Sequence, residues 1–193
     1  ITVDSATGNN KVIIKPMANP LTSKFIIYKE SSANIYSPID TVNYNTLEYL
    51  DISSNPMAQS YRYKISVLDT CSNESIKSDF HKTIHLTMSL GVNGEVNLLW
   101  NTYEGYQPSD YLIFRSVNNG AMNQISILPG TNLTYKNYLC YRLLFKISCI
   151  TLICKGCTFL LNGKKEIVWQ HAKFKWKQNG KNNILRKMLV SMD

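Results

Sequence analysis

Displaced along itself by 86 residues, the chain superimposes on its own second half without a gap from residue 12 to residue 51. Val12 meets Leu98, Ile14 meets Trp100, and Phe25-Ile-Ile-Tyr-Lys29 meets Tyr111-Leu-Ile-Phe-Arg115. Further on, Ile39 meets Ile125, Leu47 meets Leu133 and Tyr49 meets Tyr135. A register held this long in residue size and polarity implies two tandem copies of one folding unit, each of about 85–90 residues. The 193 residues leave room for little else.

The repeated unit reads as all-β. Short runs rich in Val, Ile, Tyr and Thr are broken by turn residues every 8–12 positions or so. Lys11–Ile14, Phe25–Tyr28 and Tyr61–Val67 are such runs, followed by His81–Leu86, Glu95–Trp100 and Tyr111–Phe114. Within Tyr61–Val67, period-2 alternation puts Tyr61, Tyr63, Ile65 and Val67 on one face. Seven short alternating strands per unit imply a Greek-key sandwich. Tyr61, Tyr63 and Trp100 are therefore expected in the cores.

The Val-x-Leu-x-Trp100 strand, the Tyr/Phe-rich strand after it and Tyr61-x-Tyr63-x-Ile65-x-Val67 resemble fibronectin type III modules. The run Asp69-Thr-Cys-Ser-Asn-Glu-Ser75, followed by His81-Lys-Thr-Ile-His-Leu86, resembles tandem modules of secreted Bacteroidetes proteins. The resemblance covers residues 1–136; Ile14 stands where the sheet tryptophan is expected. It implies two immunoglobulin-like sandwiches, export to the outside or outer cell surface by type IX secretion, and adhesion or spacing rather than catalysis. Asp4-Ser-Ala6 and Asp40-Thr-Val42 fit the O-glycosylation sequons of that group, and equally fit ordinary turns.

The repeat also makes a demand that the tail does not meet. At the same offset, Tyr61–Val67 should recur at 147–153, where Ile147-Ser-Cys-Ile-Thr-Leu-Ile153 stands and both tyrosines are gone. Cys71 meets Cys157, but the residues around Cys71 have no counterpart. Composition breaks nearby: residues 1–136 hold 10 Lys/Arg against 11 Asp/Glu, and residues 137–193 hold 11 against two. All six prolines precede the break, and four of the five cysteines follow it. Either the tail has diverged but still supplies strands from Tyr141–Ile147 and Ile150–Ile153, or the reading frame shifts near residue 136. The second account is favoured, because out-of-frame A/T-rich codons yield the observed Lys, Asn, Phe, Leu and Cys. The expected division is a module over 1–84, a second over 85–160 that is atypical after 136, and a basic tail over 161–193, non-native or disordered.

Chemistry-bearing residues are sparse. Cys154-Lys-Gly-Cys157 has zinc-knuckle or redox spacing, but Cys140, Cys149 and His171 complete no closed metal site. His81, His85 and His171 are too few and scattered for a triad; the first two are expected at the surface or between modules. The carboxylates Asp40, Glu48, Asp51, Asp69 and Glu74 are read as solvated turn residues, not a glycosidase pair. No nucleotide-binding or nucleophile-elbow motif occurs. Neither a catalytic, cofactor-binding or metal residue nor a cofactor is assigned.

Lys173-Phe-Lys-Trp-Lys177 interleaves cations with aromatics as single-strand nucleic-acid grooves do, and also alternates like a one-sided strand. Asn182–Val190 could form a short amphipathic helix. Ile1-Thr-Val-Asp is no signal peptide, and Tyr138–Leu161 is interrupted by Arg142, Lys146 and Lys155, so no membrane span is read. The expected function is a non-catalytic extracellular spacer or adhesion segment, a fragment of a larger bacterial protein. Its partner would be a protein or carbohydrate surface, with no nucleic acid expected. The alternatives are an accessory stalk of a secreted carbohydrate-active enzyme or protease, and a basic tail that binds nucleic acid or an anionic surface.

Overall fold

The computed structural model describes residues 1–4, 6–15, 21–92, 95–117, 121–138, 147–161, 164–179 and 183–188; for the last three segments and for residues 90, 117 and 138 only the backbone is described. The fold is all-β, two tandem immunoglobulin-like sandwiches. In the first module, β1 (Thr2–Val3), β2 (Asn10–Ile13) and β5 (Glu48–Asp51) form one sheet in the order β1-β2-β5. Facing it, β3 (Thr22–Ser32), β4 (Ile35–Asn43), β6 (Arg62–Asp69) and β7 (His81–Lys82) are ordered β4-β3-β6-β7. Every pairing is antiparallel, and strands switch between sheets in the Greek-key manner.

The second module repeats the plan. Its sheets are β12-β9-β8 and β11-β10-β13-β14-β15, built from β8 (Leu86–Leu90), β9 (Glu95–Trp100), β10 (Asp110–Val117), β11 (Asn123–Pro129) and β12 (Thr134–Tyr138). The remaining strands are β13 (Ile147–Leu161), β14 (Lys164–Asn179) and β15 (Asn183–Met188). The offset of 86 survives at the level of single pairs. Phe25 pairs with Val42 as Tyr111 pairs with Leu128, and Val12 pairs with Tyr49 as Leu98 pairs with Tyr135. The bulge between Ile27 and Tyr28 returns between Ile113 and Phe114. Ile14 N–H donates to Leu47 O at 2.7 Å, and Trp100 N–H to Leu133 O at 3.0 Å.

Alternation explains both cores. Val12, Ile14, Phe25, Ile27, Val42 and Tyr63 fill the first, with Tyr61, Ile65 and Val67 packed against them. Leu98, Trp100, Tyr111 and Ile113 fill the second, joined by Leu86, Met88 and Val96. The cores exchange volume. Ile14 is smaller than Trp100, but Phe25 stacks on Tyr44 at 5.9 Å, whereas Trp100 meets Tyr111 edge-on at 5.4 Å. At the position equivalent to Tyr44 stands Gly130, where a Cβ would lie 1.8 Å from the Pro108 carbonyl oxygen. A large-for-small swap on one side is matched by the reverse on the other, as close packing demands.

The structure departs from the sequence reading in three ways. β13 does supply the missing strand, but one residue later than the repeat demands. Ile27 pairs with Ile65, while Ile113 pairs with Leu152, an offset of 87. Tyr63 thus corresponds to Ile150 rather than Cys149, and Cys71 no longer matches Cys157. A one-residue slip exchanges the two faces of a strand, and this one aligns Ile150 and Leu152 with the core positions. Second, Asn183–Met188 is a strand and not a helix, because it continues the antiparallel hairpin from β14. Third, His81–Leu86 is not one strand: β7 ends at Lys82 and β8 begins at Leu86. Residues 141–146, expected in a strand, lie outside the described residues.

Candidate functional site

The residues singled out in the sequence do not converge. Asp40 and Glu48 sit on β4 and β5 with exposed side chains, Glu48 paired with Lys11 at 3.0 Å. Asp40 Oδ1 accepts the Thr41 N–H at 2.7 Å. Asp4 Oδ1 holds its own turn, accepting Ala6 N–H at 3.1 Å and Thr7 N–H at 2.8 Å; Ser5 lies outside the described residues. Cys149, Cys154 and Cys157 occupy β13, with a register break between the last two, and His171 on β14 pairs with Ile153. Cys140 lies outside the described residues. In the basic run, Lys173 pairs with Thr151, Phe174 with Ile150 and Lys175 with Cys149. Among the described residues no group of three or more His, Cys, Asp or Glu could hold a metal ion. No helix there is long and apolar enough to cross a membrane.

Two of the carboxylates read as solvated are instead built into the fold. Asp51, at the end of β5, is 1% exposed. Its Oδ2 accepts from Tyr63 Oη at 2.6 Å and pairs with Lys29 Nζ at 2.8 Å. Its Oδ1 accepts from Ser53 N–H at 3.1 Å and Ser53 Oγ at 2.6 Å. Burial alone would raise the Asp51 pKa; the bonds from Lys29, Ser53 and Tyr63 outweigh it and hold the carboxyl below its usual range. Asn10, fully buried, donates from Nδ2 to Tyr63 Oη at 2.9 Å, and its own N–H reaches Ser54 Oγ at 2.7 Å. Burial, and then the bond to Asp51, push the Tyr63 phenol far above its ordinary value. Lys29 also lies over the Tyr61 ring, 4.4 Å from its centroid. Tyr61 Oη in turn accepts the Asn55 N–H at 2.9 Å, the tyrosine corner of such sandwiches. The Tyr61-x-Tyr63 alternation signals this network; Asp51 and Lys29 carry no local signal.

The second carboxylate is Glu74. Its Oε1 accepts from Tyr28 Oη at 2.5 Å and Ser66 Oγ at 2.7 Å, and the Tyr28 bond chiefly lowers its pKa. It closes the loop Asp69–Ser75, where Asp69 Oδ1 accepts Cys71 and Asn73 N–H, each at 2.8 Å. Beyond it, two serines stand in for a strand. Ser75 Oγ accepts Val67 N–H at 2.9 Å while Ser75 N–H donates to Val67 O; Ser78 does the same for Ile65. The Asp-Thr-Cys-Ser-Asn-Glu-Ser run thus sheathes the β6 edge with hydroxyls, a protected edge of the kind sheets need. Cys71 is exposed at its tip.

The histidines mark a third feature, the junction between modules. His81 Nδ1 is hydrogen-bonded to Tyr103 Oη, and His85 Nε2 lies 3.0 Å from Met57 O. Burial is the first cause holding the His81 pKa below its ordinary value. Glu104 binds both Lys82 and, at 3.1 Å, Arg62.

No protein-family profile matches this chain, and no curated protein does. Among the solved structures similar to it are three fibronectin type III arrays. The FN1–FN3 domains of chicken CNTN1 are 11% identical, with a TM-score of 0.34, over 87% of this chain and 63% of that one. The central fibronectin-III array of RIM-binding protein is 10% identical, with a TM-score of 0.33, over 94% and 69%. A two-domain fibronectin type III segment from chicken tenascin is 9% identical, with a TM-score of 0.30, over 83% and 97%. The chain spans less than two thirds of the CNTN1 fragment. The first module's own strand order, a three-strand sheet facing β4-β3-β6-β7, is fibronectin type III-like, and the second sets a three-strand sheet against β11-β10-β13-β14-β15.

Proposed function

We propose that this chain is a non-catalytic spacer or adhesion segment of a larger secreted or surface-attached bacterial protein, exported as the tandem modules it resembles are. The observation that supports the reading is where the acids are used. Asp51 and Glu74 are bonded into the sandwich, Asp69 and Asp4 hold turns, and Glu104 ties one module to the other. Carboxylates engaged this way are architectural, and loops or sheet edges are left to meet a protein or carbohydrate surface. The modules run over 1–84 and 85–160, with 161–193 a basic extension whose strands β14 and β15 add to the sheet of the second.

Proteinase treatment of intact cells that carry the full gene, followed by blotting for this chain, tests the reading. Digestion without lysis is expected; a chain protected until lysis overturns it. The stalk alternative requires a hydrolase domain in the same gene. For the tail, the slipped register of β13 favours replacement of the original strand. Sequencing codons 130–193 in three frames is expected to show a Tyr-x-Tyr strand in another frame. If the frame is intact, the basic run becomes the leading candidate for an anionic partner, with binding that weakens steeply with salt.

A further inference from the structure

The connector between the modules is built as a clamp and not as a linker. From the first module, Arg62 on β6 reaches Glu30 at 3.2 Å and Glu104 at 3.1 Å. Lys82, at the end of β7, binds the same Glu104 carboxylate, and its N–H donates to Glu104 O at 2.8 Å. Thr83 continues the pairing, exchanging backbone and hydroxyl bonds with Tyr61 at 2.9 and 2.8 Å. Asn101 then fastens the far side: Oδ1 accepts His85 N–H at 2.6 Å, and Nδ2 donates to Thr83 O at 3.2 Å. His81, Lys82, Thr83 and His85 are thus each bonded to both modules.

Apolar surface is shared across the same junction. Val3 of the first module, 5% exposed, belongs to the core cluster of the second, and Met57 packs against that cluster. Tyr103 is 3% exposed, lies 4.4 Å from the Tyr106 ring and 5.7 Å from the His81 ring. Gly105 makes the approach possible. Its φ is +121°, and a Cβ there would fall 2.6–3.0 Å from three atoms of the His81 ring.

We propose that residues 101–106 and the 81–85 connector form a joint that fixes the two modules as one rigid body at neutral pH and releases them on acidification. The joint stands whatever the modules bind. His81 carries the upper step. Tyr103 faces it from the second module, Asp79 from its own segment favours the protonated ring, the Ile1 amino group opposes it, and the Lys82–Glu104 pair lies beside it. With the docked pKa below the ordinary 6.5, the undocked state takes up its proton first as pH falls. Docking is therefore complete above that pH and weakens below it, at most about tenfold per pH unit for one proton. Glu104 carries a lower step, below its ordinary 4.5, because the bonds from Lys82 and Arg62 favour its charged form.

Residual dipolar couplings of the full chain test this. At pH 7.5 one alignment tensor is expected to fit the amides of residues 1–80 and 86–136 together; at pH 5 two tensors are required while both modules keep their dispersed spectra. Gly105→Ala combined with Glu104→Ala is expected to need two tensors already at pH 7.5. His81→Gln, which keeps a polar side chain against Tyr103, is expected to hold one tensor at pH 5 and guards against misfolding of the double variant. Two tensors for the unmodified chain at pH 7.5 would overturn the joint. A single tensor at pH 5, unfolding of either module before the tensors part, or release at an unchanged pH in His81→Gln would overturn the acid step.

Discussion

Where the first module buries Asn10, Asp51 and Tyr63 around the Lys29 ammonium, the second carries Val96, Asn137, Ile150 and Arg115 at the matching register positions. The strand pairs are the same; the chemistry that closes the end of the sandwich is not. In the first module a carboxylate, a phenol, an amide and two serines bond one another, and only the Asn10 Oδ1 of that group is without a partner among the described residues. In the second, Val96 is 1% exposed and apolar, and the Asn137 Nδ2, buried, has no hydrogen-bond partner among the described residues. Backbone register therefore survives the loss of a polar network, because ladder bonds and alternating apolar faces suffice to hold it. The network closes that end of the sandwich with side-chain bonds added to the ladder.

This contrast can be broken most forcefully at its ion pair. Asp51→Ala leaves the Lys29 charge and the Tyr63 hydroxyl without their partner in a buried setting, and should cost the first module about 3–5 kcal/mol. Hydrogen exchange resolved by module should show the loss in the first and little in the second. Trp100→Ala is the mirror image, a cavity costing about 3–5 kcal/mol, borne by the second module. Ile14→Ala at the matching position should cost about 2–5 kcal/mol and mark the first; a Trp100 effect smaller than the Ile14 one would refute the exchange of volume between the cores.

A milder cut is Tyr63→Phe, which keeps the ring, removes the acceptor of the Asn10 amide and leaves Asp51 Oδ2 to Lys29. A loss of about 1–3 kcal/mol in urea unfolding is expected. The smallest change should come from Asn137→Leu. Removing an unpartnered amide should leave the second module unchanged or slightly more stable, and a loss above about 1 kcal/mol would reveal a partner for it. Acid should separate the modules too. Asp51, Asp69 and Glu74 are all held below their ordinary values in the first module. Their stabilisation is complete above the unfolded carboxylate pKa and is lost as pH falls through the lowered folded values. Below about pH 4 the first module should therefore melt ahead of the second, as read from the two sets of amide signals.

Much of this was legible before any coordinates. Val12 and Leu98, Ile27 and Ile113, and Tyr49 and Tyr135 fall where the displaced alignment put them, because alternation and side-chain volume are local properties that a strand displays along its own length. Tyr61, Tyr63 and Trp100 were readable as core for the same reason. The slip of β13 was not. Nothing local tells whether Cys149 or Ile150 stands at the register position of Tyr63 until β10 supplies the pairing. Asp51 was misread because a lone Asp at the end of a strand looks like any turn residue. Its distant partners arrive from positions 29 and 63, and only the closed sandwich brings them within 3 Å or so.

The sequence by itself determined that the chain is all-β, that it holds the same unit twice and that the units share one register. These follow from short-range pattern, which needs no partner to be read. The tertiary structure alone decided which acids are buried, in which register β13 pairs with β10, and that Glu104, His81 and Tyr103 meet across the module boundary. Those outcomes depend on contacts between residues far apart in the chain, where electrostatic and packing energies exist only once the strands have come together.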